Sequence, residues 1–265
     1  MASSFDLETY SISLEELSLP FGMINRPDMA DAWIRTIYPD ISNSQYQVRM
    51  IGAVNALLAC QLATLSEKRL PRLSPDFEKI IFSLSFFDYS IQLSKMVNGS
   101  MQNTTVTIQK GKTFTCHSIE QGVLHKIETG KITDLPQYAD KYFSSLAIGK
   151  TSKNNLGDVP RELLDKRENK KENEGILIEN GWSKADASSF ADVLKNPTFA
   201  GSIVFVDANG RLGASEVLSA NKRSIILFYA KKKSWVVDYP DSEASAGTAT
   251  LFEGKDFSEF IKDIF

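Results

Sequence analysis

Histidine and cysteine are almost missing from this 265-residue sequence, which has only His117, His125, Cys60 and Cys116. Side chains that titrate near neutral pH or hold transition metals are therefore scarce. No paired Cys/His ligand motif, glycine-rich phosphate loop or nucleophile elbow occurs. One or two histidines with no second thiol nearby do not support a closed zinc site, and no metal and no cofactor are expected. Cys116 and His117 are neighbours, but adjacent residues on a strand point to opposite faces and cannot act as nucleophile and base. Cys116 could meet His125 across a turn, with Glu128 orienting the ring. That pair, or convergent carboxylates, keeps a hydrolase or transferase as one alternative reading.

A long apolar run is also lacking. Met50–Ser66 carries no charge, but Gly52, Asn55 and Gln61 interrupt it, and a span needs about 20 predominantly apolar residues. The start, Met1–Asp6, has no cationic stretch followed by an apolar one, so a cytoplasmic location is expected and both cysteines read as reduced structural thiols. Without export, the glycosylation-like patterns Asn98–Ser100 and Asn103–Thr105 carry no weight. Positive excess is absent too: the net charge of −3 argues against a dedicated duplex-DNA binder.

What is present is an ordinary globular composition, 42% hydrophobic and 24% charged, with length enough for two compact halves. Helical periodicity dominates the first hundred residues. Ser13–Glu16 has capping-box spacing, Asp28–Tyr38 reads as a second helix closed by Pro39, and Ser44–Leu65 places Val48, Ile51, Val54, Leu58, Leu62 and Leu65 on one face, as in a central buried helix. Ser74-Pro75-Asp76 starts a long helix whose stripe runs from Phe77 through Phe87 to Ile91 and stops at Asn98-Gly99. Val106, Ile108, Phe114 and Cys116 then alternate around Lys110–Lys112 as a hairpin, and Pro136–Ile148 returns to helical spacing.

Arg161–Glu174 is a balanced charged run with little to bury and reads as a connector or solvated helix. Ser183–Asp186 restarts a helix that ends at Asn196-Pro197. Ile203–Val206, Ile225–Tyr229 and Ser234–Tyr239 read as strands, and Phe257, Phe260, Ile261 and Ile264 as the stripe of a closing helix. The expected fold is α+β: a helical N-terminal half (1–160, with a hairpin near 104–118), a charged connector (161–182), and an α+β half (183–265) with a largely antiparallel sheet and a closing helix. No internal repeat is evident.

Two stretches resemble functional motifs. Asp207–Glu216 has part of the spacing of a calcium loop, but Phe205 falls where the first ligand belongs, and Asn209-Gly210 reads better as a tight hairpin turn. The second stretch is basic and aromatic: Lys222 and Arg223, then Ile225–Tyr229, then Lys231, Lys232, Lys233 and Trp235. On a hairpin the lysines could meet phosphates while Tyr229 or Trp235 stacks a base, although lysines also serve at hairpin tips simply to discourage aggregation. Lys110 and Lys112 form a smaller counterpart. The leading functional reading is a non-catalytic, protein-binding or self-assembling protein. Single-stranded RNA binding through Lys222, Arg223, Lys231, Lys232, Lys233 and Trp235 is the second reading, and a carboxylate- or Cys/His-based enzyme the third.

Overall fold

The computed structural model describes residues 7–97, 99–109, 112–121, 123–143, 154–166, 168–207, 222–230, 233–241 and 244–253. Strand β1 (Glu8–Ser13) leads into helices α1 (Leu14–Met23), α2 (Pro27–Ile37) and α3 (Asn43–Ala59). A short ribbon of β2 (Ala63–Leu65) and β3 (Pro71–Leu73) follows, then α4 (Pro75–Ser85) and four strands, β4 (Tyr89–Val97), β5 (Ser100–Gln109), β6 (Thr113–Glu120) and β7 (Leu124–Lys131). Beyond α5 (Leu135–Tyr142) come β8 (Asn154–Pro160), a 3-10 turn (Arg161–Leu164), α6 (Lys170–Glu179) and α7 (Lys184–Lys195). A second run of four strands closes the described chain: β9 (Phe199–Asp207), β10 (Lys222–Ala230), β11 (Lys233–Tyr239) and β12 (Ala246–Glu253).

The helix starts follow capping chemistry. Ser13 Oγ accepts from the Glu16 N–H at 3.2 Å while the Glu16 carboxylate accepts from the Ser13 N–H at 2.6 Å, closing a capping box at α1. Ser42 and Gln45 repeat it at α3, and Ser183 Oγ accepts from the Asp186 N–H at 3.1 Å at α7. Pro75, Asp76 and Glu78 occupy the first turn of α4, where a missing N–H costs nothing and acids meet the positive end of the helix dipole.

The expectation of a helical N-terminal half is overturned. Ten antiparallel strands, with helices interspersed among them, make the fold sheet-rich from its first element onward. Strands of the first half are disguised by hydroxyl-bearing residues. Thr104, Thr107 and Thr115 are buried, and they are tied in by bonds such as Thr107 Oγ1 to the Thr115 carbonyl at 3.3 Å and Ser83 Oγ to Thr115 Oγ1 at 2.7 Å. Threonine suits a pleated strand while contributing little to a hydrophobic pattern. Helix α4 also stops before Phe87: Phe86 is already extended at φ −131°, and Ile91 and Leu93 alternate into the core from β4.

Two compact units arise. The first holds the described parts of Met1–Ser90 and Thr105–Ile132, and the second those of Ile91–Thr104, Thr133–Asp207 and the chain from Ala220 onward. The first has the strand order β1-β7-β6, with the second half of β5 beside β6; its core joins Ile12, Leu17, Phe21, Leu57, Phe77 and Ile127. The second has the order β4-β9-β10-β11-β12-β8, under a core that includes Trp182, Phe190, Phe228, Trp235 and Tyr239.

A recurrent connectivity is visible in structure that the sequence conceals. A strand leads through helices to a serine-capped or serine-preceded helix (α4 after Ser74, α7 after Ser183), and four strands follow. The leading strand pairs antiparallel with the last of the four, β1 with β7 and β8 with β12. Both helices end on a residue with a strongly negative φ, Phe86 at −131° and Asn196 at −136°.

The charged run Arg161–Glu174 divides between the 3-10 turn and the start of α6. Leu163 is buried, and the Arg161 guanidinium lies over the Tyr239 ring while donating to the carbonyls of Asp241 and Ala244. The calcium-like stretch beyond Asp207, the Asn209-Gly210 turn and the expected closing helix at Phe257–Ile264 lie outside the described residues.

Candidate protein-docking surface

The basic-aromatic stretch forms the expected hairpin, with Ala230 opposite Lys233 and Phe228 opposite Trp235. Its residues do not converge on an open surface. Trp235 is fully buried, 5.3 Å from Phe190 and 6.3 Å from Trp182 between ring centroids, so it has no face left to stack a base. Arg223 is engaged by Asp238 through two charge-assisted bonds of 3.0 and 2.6 Å, which raise the basicity of its guanidinium. Lys233 shares the Trp235 face of β11 and lines a cavity with it. Lys231 and Lys232, and the side chain of Lys222, lie outside the described residues, as does Lys110; Lys112 is exposed.

Thiol chemistry finds no geometry either. Cys116 pairs with Glu128 across β6 and β7 and is buried on one face, while His117 and His125 occupy the other. Cys60 is an exposed free thiol at the end of α3. The two histidines instead meet each other, His117 Nε2 lying 2.9 Å from His125 Nδ1. Trp33 of α2 stands edge-on to both rings at 5.3 Å. Burial, reinforced by the neighbouring His125, pushes His117 down to about 4. Burial also lowers His125, against a smaller opposing pull from Glu15. The pair is thus neutral at pH 7, one ring donating and the other accepting. Among the described residues no group of three or more His, Cys, Asp or Glu side chains gathers as a metal site would require.

The distinctive surface is on α3, and here a further expectation fails. The helix is anchored by Ala53 and Leu57, whereas Val48 and Ile51 are 70% and 63% exposed. The side turned to the core against α1 carries Ala53 and Leu57 and not the Val48–Ile51 stripe. Val48, Ile51, Gly52 and Asn55 stand at i, i+3, i+4 and i+7, one solvent-facing strip without a charge. At Gly52 an added Cβ would meet nothing within 4 Å, so a second backbone can approach closely there.

Charged depressions flank the first turns of α3. One, of about 290 Å³, is lined by Tyr38, Asp40, Ile41, Gln45 and Arg49; another, of about 480 Å³, lies against Asp28, Asp31, Arg35 and Tyr46. Arg49 is fixed by Glu15 at 2.5 Å and lies 4.1 Å over the Tyr38 ring. Arg35 closes on Asp31 at 2.8 Å, and Arg26 on Asp28 at 2.9 Å, which holds the Asp28 carboxyl below its ordinary range. The resulting surface is an uncharged strip, apolar at Val48 and Ile51, with a fixed charged margin. Only the exposed fraction of each residue reveals it; the sequence shows the missing charge but not which side faces water. Among the described residues no helix is long and apolar enough to cross a membrane.

No family model and no curated protein sequence matches the chain. Its fold is similar to that of EspG5, a chaperone of the Mycobacterium tuberculosis type VII secretion system, in a structure solved in complex with the PE25–PPE41 dimer. The identity is 9%, the TM-score 0.60, and the alignment covers 97% of this chain and 94% of that one. The peroxisomal multifunctional enzyme type 2 of Drosophila melanogaster aligns at 9% identity over 94% of this chain and 48% of that chain, and the dehydratase domain of the curacin polyketide synthase CurF module at 9% over 63% and 74%. Their TM-scores of 0.21 and 0.14 carry no argument. What the EspG5 likeness establishes is a shared fold.

Proposed function

We propose that this chain is a non-catalytic, chaperone-like protein that docks a protein partner on the exposed face of α3. The observation that carries the reading is the uncharged strip of Val48, Ile51, Gly52 and Asn55 beside fixed ion pairs. It stands on a fold shared along nearly the whole chain with a chaperone that was solved bound to a protein dimer. The occupant is a helix with an apolar, uncharged stripe: Gly52 admits its backbone, Val48 and Ile51 bury against its side chains, and polar residues at its edges meet Arg49, Asp40 and Gln45. Covering an exposed isoleucine contributes about 1.5–3 kcal/mol, enough to weight the contact toward one or two residues. Nucleic-acid binding is not carried forward, because the Trp235 ring is enclosed and Arg223 is matched by Asp238.

Site-directed photo-crosslinking tests the reading. A photoreactive residue at position 51, placed in the full chain and expressed in its native host, is expected to capture one discrete partner. The same group at Lys79, exposed on α4, is expected to capture none. Equal capture from both positions, or none from position 51, would refute the docking role; capture of a second copy of the chain would replace the chaperone reading with self-assembly.

A further inference from the structure

We propose that the β2–β3 ribbon is a second contact of the α3 docking face and receives an acidic segment of the same protein partner. The proposal rests on the docking reading of α3, and every residue it uses lies in the first unit. The ribbon is joined rigidly to the end of the docking helix. The uncharged strip of Val48, Ile51, Gly52 and Asn55 continues to the last residue of α3, Ala59, which is also exposed. There Gln61 adopts a left-handed φ of +59°, the Leu62 N–H donates to the Leu57 carbonyl at 2.9 Å, and the Gln61 N–H donates to the Leu58 carbonyl at 3.1 Å. These are the two bonds of a Schellman motif. Ala63 and Leu73 then pair in the core and pin the base of the ribbon. Its far end is a tight turn, in which the Arg69 N–H donates to the Ser66 carbonyl at 2.8 Å and the Ser66 N–H to the Leu70 carbonyl at 2.9 Å.

Charge gathers at that end. Lys68, Arg69 and Arg72 are all exposed, against one acid, Glu67. Other described arginines are engaged: Arg26 by Asp28, Arg35 by Asp31, Arg49 by Glu15, Arg223 by Asp238, and Arg161 by the carbonyls of Asp241 and Ala244. Among the described residues no acid or carbonyl meets the guanidinium of Arg69 or Arg72, and Lys68 makes no ion pair. Arg69 moreover sits at φ +58°, where glycine is favoured, so a long cation is held at the turn against backbone strain. Leu70, 61% exposed, precedes Arg72 by two residues and shares its face of the ribbon, and Leu65 on the other strand is 54% exposed. Unpaired cations around an exposed leucine select carboxylates next to an apolar residue. Both leucines stand behind the charged turn, so the ribbon does not lead with apolar surface toward a bilayer, which favours a protein partner over an anionic membrane.

The test uses the full chain in its native host, with a photoreactive residue at position 51 or position 70 and mass spectrometry of the crosslinked peptides. Both positions are expected to capture the same protein, and the peptide joined to position 70 to carry more Asp and Glu than Lys and Arg. Capture at position 51 without capture at 70, or a neutral or basic peptide at 70, overturns the ribbon contact and leaves the α3 reading intact. Capture at position 70 alone overturns the α3 reading and with it the shared partner; failure at both positions overturns both. Association kinetics with the captured partner then read the charges. The combined variant Lys68→Glu, Arg69→Glu and Arg72→Glu is expected to slow association at least about tenfold at low salt and to remove the fall of that rate with added salt, with the melting temperature unchanged. An unaltered rate overturns the proposal. So does wild-type binding to equimolar phosphatidylcholine–phosphatidylserine vesicles or to single-stranded RNA that this variant loses while it still associates with the partner as wild type does.

Discussion

Acidification should loosen the first unit through its histidine pair. His117 and His125 are bonded at 2.9 Å, and that bond needs one nitrogen bare, so protonating both rings destroys it. In the folded chain burial holds His117 at about 4 against an ordinary 6.5. The folded value lies below the unfolded one, so the neutral ring's contribution is complete above pH 6.5 and is lost as pH falls from 6.5 toward 4, after which it changes no further. At 1.36 kcal/mol per pH unit, the loss is about 1 kcal/mol at pH 5.5 and between about 2 and 3 kcal/mol at pH 4.5. His125, also lowered, adds in the same direction. The matched control is His117→Gln combined with His125→Asn, whose amides occupy the places of Nε2 and Nδ1 and do not titrate. Urea unfolding followed by tryptophan fluorescence at pH 7.5, 5.5 and 4.5 should show the wild-type midpoint falling by about 1 M more than the control's, for a slope of about 1–3 kcal/mol per molar. Parallel curves for the two proteins, or a wild type that gains stability toward acid, would refute the reasoning.

Other substitutions separate core from surface. Phe190→Ala, which removes the ring packed on Trp182 and Trp235, should cost about 3–5 kcal/mol in chemical unfolding. On α3, Leu57→Ala should cost about 2–5 kcal/mol, whereas Ile51→Lys should stay within about 0.5 kcal/mol of wild type; the opposite ranking would mean that the exposed side has been misassigned. Gly157 sits at φ +124°, and a Cβ there would approach Trp182 Cδ1 to 2.9 Å, so Gly157→Ala should cost at least about 1–3 kcal/mol in thermal melts.

Local chemistry was legible wherever it acts within a few residues. Ser13, Ser74 and Ser183 mark the starts of α1, α4 and α7 as expected, and the hairpins β5–β6 and β10–β11 lie where the alternating patterns place them. What failed depends on partners far along the chain. Strand β1 exists because Tyr10 and Ile12 pair with Ile127 and His125 of β7, and nothing near residue 10 announces that. Tyr89–Val97 continues an apolar stripe begun in α4, yet a strand wins once Phe86 turns extended. The stripe through Val48 and Ile51 on α3 predicts burial, although an apolar face is equally the mark of a surface kept for a partner. Trp235 shows the converse: next to lysines in sequence, its ring points into the core because its strand faces α7. The His117–His125 pair could be suspected from the scarcity of histidine, but its register, His117 opposite Ile127 and Ile119 opposite His125, belongs to the sheet.

The central claim, that α3 carries a protein-docking face, is tested most directly by measuring the affinity of the crosslinked partner for wild type, Ile51→Lys and the distant control Lys79→Glu. A lysine placed in the apolar strip should weaken binding at least tenfold with no change in melting temperature, as expected for an interface anchor worth about 1.5 kcal/mol or more, while Lys79→Glu binds as wild type does. Equal affinities for wild type and Ile51→Lys would contradict the account.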